Sequence, residues 1–197
     1  MNVEGNLMLL VGTPVLRPIP ADTLANLEGL HVIVSDQAPT TFRMSFRIGR
    51  GSFDAVDYPE LTTRLFDPFN RIVVQRITEG LPAVLVDGFI TKIEQSESEP
   101  PGASTLAVTG VDVSVKMTLA KVNRAHTAPT VAATVQLVLA EYAALPLTPI
   151  VVPAATDEPR SPTEGVRNQR GETDNAFITR LAQEAGHVFY VEHAGPL

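Results

Sequence analysis

The 197-residue sequence contains no cysteine and no tryptophan. The first absence removes disulfide staples, thiolate zinc sites, iron–sulfur clusters and thiol nucleophiles together, and leaves the redox compartment open. The second, with only three tyrosines, leaves little material for the exposed aromatic platforms of a carbohydrate-binding barrel. There is no basic surplus either. Fifteen Lys and Arg face twenty-two Asp and Glu, a formal charge of −7, so sequence recognition of nucleic acid through phosphate neutralisation is not expected. No apolar run approaches the roughly 20 residues that span a bilayer, and Met1-Asn2-Val3-Glu4 lacks the basic start of a secretory signal. No fixed-period repeat is seen. What is present is a 44% apolar, 19% charged chain, able to bury enough surface to fold as one ordinary domain or two small ones.

The first 110 residues read mostly as strands. Thr41–Ile48 alternates, with Phe42, Met44, Phe46 and Ile48 on one face and Arg43, Ser45 and Arg47 on the other, the mark of a strand with one buried and one wet side. Gly49, Gly51 and Ser52 break it. Arg71–Thr78 is a β-branched strand; Gly80 and Pro82 mark a turn; Ala83–Ile93 resumes. Asp87-Gly88 permits a tight hairpin or a bulge, and we read a bulge in one long strand. Gln95–Gly102 is a solvated loop, and Ser104–Val111 alternates again. Such short strands with glycine and proline turns point to a small antiparallel barrel or sandwich.

The period then changes. Val131, Val135, Val138, Leu139 and Tyr142 form one helical stripe between Pro129 and Pro146. Pro146–Pro162, with five prolines, reads as an extended connector. A second helix begins at Thr173 as N-cap, with Glu172 and Asp174 near its positive end and Phe177 and Leu181 on one face, and stops at Gly186. His187–Glu192 reads as a closing strand. The fold class is α+β and β-rich: a tube-like barrel over residues 1–115, then an α/β segment over 116–197 with helices near 130–144 and 173–185.

A search for chemistry returns little. His31, His126, His187 and His193 show no metal-ligand spacing, and no serine sits in a nucleophile elbow. Gly49-Arg50-Gly51 opens like a dinucleotide loop but lacks its third glycine and its helix. Glu94, Glu97 and Glu99 cluster in the most polar stretch, whereas a glycosidase acid needs an apolar pocket. Arg43, Arg47 and Arg50 form a basic strip without interleaved aromatics, read as solvated or intersubunit surface. No catalytic residue, metal or cofactor is assigned.

The informative stretch is Arg167–Val191, RNQRGETDNAFITRLAQEAGHVFYV. It resembles the Q-x-G-E-T-D-x-x-F-x-x-R-L-A-x-x-x-G-x-x-F-Y signature of baseplate hub proteins, the family of phage late control protein D and the N-terminal hub part of VgrG. The matching positions are Gln169, Gly171, Glu172, Thr173, Asp174, Phe177, Arg180, Leu181, Ala182, Gly186, Phe189 and Tyr190. Upstream, Asp67–Val74, Val86–Thr91 and Leu106–Asp112 resemble the family's first barrel, whose strands lead into a "tGxD" turn, and residues 130–144 resemble its following helix. The motif itself reads as a packing unit of helix, glycine stop and strand, with Phe189 or Tyr190 as core partner. Its charged flank, Glu172, Asp174 and Arg180, either caps the helix internally or pairs across a subunit boundary.

The resemblance implies a structural role without enzymatic activity. A homotrimeric ring would adapt the hexameric tail tube to a trimeric spike, among other baseplate subunits of a contractile phage tail or injection particle assembled in the bacterial cytoplasm. Each family protomer supplies two tube-like domains, whereas this chain of 197 residues accounts for the first and part of the α/β region. It also implies, then, that a second domain lies on a longer chain or another one. The alternative from a different class is a cell-wall hydrolase module at the tail tip.

Overall fold

Alternating residues in the first half pair into one antiparallel sheet in the computed structural model, which describes residues 7–35, 38–48, 64–96, 104–145 and 147–192. Its strands are β1 (Leu7–Gly12), β2 (Arg17–Pro18), β3 (Leu27–Ile33), β4 (Thr41–Ile48), β5 (Arg71–Thr78), β6 (Leu81–Ser96) and β7 (Ser104–Asp112), with a short helix α1 (Ala21–Ala25) between β2 and β3. After a 3₁₀ helix (Val113–Thr118) come β8 (Lys121–His126), α2 (Val131–Ala140), β9 (Arg167–Thr173) and α3 (Asp174–Glu184). The fold is β-rich α+β. Contacts divide it into two compact units, one running to Asp112 and taking in the residues from Val191 on, the other Val113–Tyr190.

In the first unit the strand order is β2-β1-β5-β6-β7-β4-β3. Phe42, Met44, Phe46 and Ile48 of β4 are fully buried, together with Leu9, Ile72, Val74, Val86, Ile90, Leu106 and Val108 from four other strands, in one apolar cluster. Among the described residues, the helix α1 contributes Leu24 to that cluster. Side chains from five strands of the sheet meet in this one cluster, and antiparallel sheets of this size are twisted. The Phe66 ring packs 4.9 Å from that of Phe46 and extends this interior. Among the described residues no pairing joins β2 to β3, so the expected barrel is not closed by hydrogen bonds. The physical reason lies at β2: it is two residues long, and Pro18 has no N–H to carry a ladder further.

In the second unit α3 packs against β9, the 3₁₀ helix and α2, with Met117, Val135, Val138, Leu139, Phe177, Ile178 and Leu181 in a common core beside the paired strands β8 and β9. The stripe seen in the sequence is the face that α2 buries. Its first three N–H groups are all satisfied: Val131 and Ala132 donate to the Asp157 carboxylate at 2.7 and 2.9 Å, and Ala133 donates to Thr130 Oγ1 at 3.0 Å. A carboxylate at the positive end of a helix is favourable in itself. Asp157 thereby pins the proline-rich connector, whose described residues 147–162 are neither helix nor strand. α3 starts as expected, with Thr173 Oγ1 accepting from Ala176 N. It ends at Gly186 (φ +74°) in a double closure, Gly186 N to Gln183 O and His187 N to Ala182 O.

Several expectations are corrected. β6 is one long strand, but its extra residues are Leu85 and Thr91, not Asp87-Gly88. Asp87 is held by a two-pronged bond from Arg71 (2.7 and 2.5 Å), and a side chain at Gly88 would strike the Val111 carbonyl, so both stay in register. β6 also runs on to Ser96, into the stretch read as loop. Thr109-Gly110-Val111-Asp112 is not a turn but the end of β7, where the Phe42 ring occupies the place of the missing Gly110 side chain. Residues 187–192 form no strand; the sheet of this unit is instead made by β8 and β9, which carry no alternating apolar pattern. The helix ends at Ala140, and residues 141–144 continue as turns. Gly49, Arg50, Gly51, Ser52, Pro146 and most of the Gln95–Gly102 loop lie outside the described residues.

The glycine stop has a direct test. A Cβ at Gly186 would meet nothing within 4 Å, so substitution there costs only the left-handed backbone. Gly186→Ala is expected to lower stability by about 1–2 kcal/mol, and Gly186→Val by more because of its branched Cβ. Equal urea midpoints for the two variants would contradict this helix ending.

Candidate functional site

The signature stretch folds into one polar and apolar knot of the second unit. Gly171 (φ +60°) is the extra residue of a bulge in β9, a conformation that disfavours side chains. Its N–H donates to Asn123 Oδ1 of β8 at 2.9 Å. The bulge turns Glu172 toward α3, where Arg180 donates to both its oxygens (3.3 and 2.7 Å) while reaching Glu184 at 3.0 Å and the Asn168 carbonyl at 3.2 Å. Arg180 also lies over the Phe177 ring, 5.2 Å from its centroid. The charged flank therefore pairs inside the chain. Its bond to Arg180 holds the Glu172 carboxyl below the usual range, and the same pairing holds the guanidinium proton more firmly.

Beneath it runs a buried chain of hydrogen bonds. Gln169, 1% exposed, donates from Nε2 to Asp174 Oδ1 at 2.7 Å and to the Glu172 carbonyl at 3.2 Å. Both partners only accept, so the amide orientation is fixed and its Oε1 faces His126 Nε2 at 3.1 Å. That nitrogen must donate, which sets the tautomer of His126. The imidazole stacks on Phe177 at 4.8 Å. At the other end Tyr142 donates to Asp174 Oδ2 at 2.5 Å. Burial, then the bond to the Asp174 carboxylate and its charge, push the Tyr142 phenol well above its usual range. Asp174 also sits in the first turn of α3, where the helix dipole favours a carboxylate.

Gln169, Glu172, Asp174, Arg180, His126 and Tyr142 are thus each bonded to another part of the same unit. Phe177 and Leu181 lie in the core; Phe189 packs partly against it, while Tyr190 is half exposed. His126, Tyr142, Asn123 and Asp157 complete the arrangement and were not readable as partners. His126 lies 43 residues from Gln169, and Tyr142 lies 32 from Asp174. No local spacing marks such pairs.

The other candidates separate in space. His31 and His187 are exposed, and His193 lies outside the described residues. Among the described residues no group of three His, Asp or Glu could hold a metal. Glu94 pairs with Lys92 at 2.7 Å and Arg43 at 3.7 Å. The bond to Lys92 above all keeps its carboxyl low, opposite to the need of a general acid. Glu97 and Glu99 lie outside the described residues. Arg47 pairs with Glu28 at 2.5 Å, so the basic strip of β4 is neutralised at both described positions; Arg50 lies outside them.

No protein-family model matches this chain, and no curated protein matches it in sequence. Its fold is shared with solved structures. The 43 kDa tail protein of prophage MuSo2 from Shewanella oneidensis superposes with a TM-score of 0.64 at 13% identity, over 94% of this chain and 50% of that one. The tail protein from Neisseria meningitidis MC58 gives 0.58 at 15% identity, over 95% of this chain and 48% of that one. The chain spans about half the length of either. At such identities the likeness is one of fold.

Two measurements probe the knot. Phe177→Ala removes a fully buried ring and is expected to cost about 3–5 kcal/mol in urea unfolding; a loss below about 1 kcal/mol would place the ring outside the core. Tyr142 has a raised folded pKa, so its contribution is complete below the unfolded value of about 10 and fades as pH climbs past it. Tyr142→Phe should cost about 1–3 kcal/mol at pH 7 by leaving Asp174 short of a donor. It should also flatten the decline of the urea midpoint between about pH 10 and 11, and an unchanged alkaline slope would contradict the assignment.

Proposed function

We propose that the chain is a structural subunit of a phage tail or phage-like injection machine, placed at the baseplate hub. Three copies form a ring there that joins a six-fold tail tube to a three-fold spike, among other baseplate subunits, in a particle assembled in the bacterial cytoplasm. The observation that carries this reading is the fold likeness to two phage tail proteins along almost the whole chain. The resemblance of residues 167–191 to the hub signature supports the finer placement. A broad antiparallel sheet suits stacking in a tube, because its side chains alternate between the core and an outer face that can meet a neighbour. Closed rotational symmetry keeps such an assembly finite.

The signature residues Gln169, Gly171, Glu172, Thr173, Asp174, Phe177, Arg180, Leu181 and Gly186 serve on this reading as a folding unit that holds α3 on the β8–β9 pair, with Phe189 and Tyr190 following it. Their bonds run inward, as a building block requires and an active site does not. Six-fold mimicry by three copies calls for a second tube-like domain, carried on further chain or on a partner. Native mass spectrometry of the purified protein should show trimers, alone or joined to tube and spike proteins. A monomer at all concentrations, with no affinity for a tail tube, would overturn the proposal.

A further inference from the structure

Two short segments of the second unit have the composition of strands and no strand beside them. One is Ile150-Val151-Val152 in the proline-rich connector, the other Val188-Phe189-Tyr190 after the glycine stop of α3. Their β-branched and aromatic residues suit a pleated, half-buried surface. The burial of both has the period of a strand. The middle residues, Val151 and Phe189, pack against the common core, while Ile150, Val152, Val188 and Tyr190 are between 50% and 86% exposed. Among the described residues no backbone N–H or C=O of either segment is hydrogen-bonded. Unbonded backbone groups along such an apolar segment are a template for strand addition. Both segments are held in place for it. The connector is pinned beyond Val152 by Asp157, which caps α2, and His187 N donates to Ala182 O just before Val188. Pro149 and Pro153 bracket the first segment, so a ladder there stops after three residues and cannot grow into an open edge.

We propose that these two segments pair with each other between copies, Ile150–Val152 of one copy adding as a strand to Val188–Tyr190 of the next. Within one copy they are not bonded to each other. Three features of the chain point to a second copy as the partner. Each segment offers what the other lacks, a row of unbonded N–H and C=O groups. No residue from Leu147 to Thr156 or from Val188 to Val191 is charged, so copies of formal charge −7 meet there without like charges face to face. Every copy carries one of each segment, and the two are different patches, so the contact is head-to-tail, the kind that closes into a ring. In the antiparallel register that sets Val151 opposite Phe189, both of these keep to the core side. Ile150 then meets Tyr190, and Val152 meets Val188, on the outer face, pairs of the kind that stabilise sheets. The pairing rests on the reading of the chain as a self-associating subunit and names two surfaces that meet in the ring.

Sedimentation of the whole protein tests it. Ile150→Lys with Val152→Lys, and separately Val188→Glu with Tyr190→Glu, change exposed side chains and should leave the urea midpoint of the monomer unmoved. Each pair should raise the concentration of half-association about tenfold or more. All four changes in one chain should restore association, since opposite charges then face each other. Amide exchange gives a second reading. The N–H groups of both segments should exchange freely in dilute protein, and at least about tenfold more slowly once copies associate. If the wild type associates and neither pair of changes affects it, or only one does, the pairing is wrong while the ring reading stands. If the wild type stays monomeric, the ring reading fails, and the peptide acetyl-TPIVVPA-amide decides the pairing by itself. Binding to the wild type that weakens at least about tenfold in the Val188→Glu/Tyr190→Glu protein supports it. No binding, or equal binding to both proteins, overturns it.

Discussion

Gln169 is the residue on which the second unit hangs. A buried amide must satisfy two donors and an acceptor or destabilise the fold by a few kcal/mol. Here it does so with a strand neighbour, a helix-first carboxylate and a backbone carbonyl. Those three bonds connect β8, β9 and the start of α3, and Asp174 passes the connection on to Tyr142 beyond α2. The core of Phe177, Ile178 and Leu181 supplies most of the burial, but apolar contact has no direction. The polar chain selects one way for α3 to sit on the strands.

The first unit solves a different problem. Five of its strands share one apolar cluster, and β6 carries two extra residues that raise local twist. Its two edges are unlike. β2 is short and ends in a proline, while β3 is seven residues long and bulged near Gly29. Arg43, Arg47 and Arg71 of this unit are answered by Glu94, Glu28 and Asp87.

Local pattern made a good part of this legible. Strands β4 and β5 lie at the positions that alternation and β-branching mark, and the cap at Thr173 and the stop at Gly186 depend only on neighbours a turn away. β8 and β9 escaped because their residues, KVNRAH and RNQRGET, have no apolar alternation; pairing with each other makes them strands, with α3 against β9. His187–Glu192 misled for the converse reason, having β-branched and aromatic residues but no strand beside them. The signature at 167–191 was visible as a pattern, yet its meaning as a bonded knot was not, since half its partners lie tens of residues upstream.

What the sequence determined by itself is whatever short-range sterics and periodicity decide: which faces are apolar, where α3 begins and ends, and that cysteine chemistry plays no part. Tertiary structure alone decided that Asp157 caps a helix 26 residues before it, that His126 holds Gln169, and that β6 bulges at Leu85 and Thr91. Each of these is an interaction between groups distant along the chain, whose meeting depends on how the whole unit closes and leaves no mark in any window of residues.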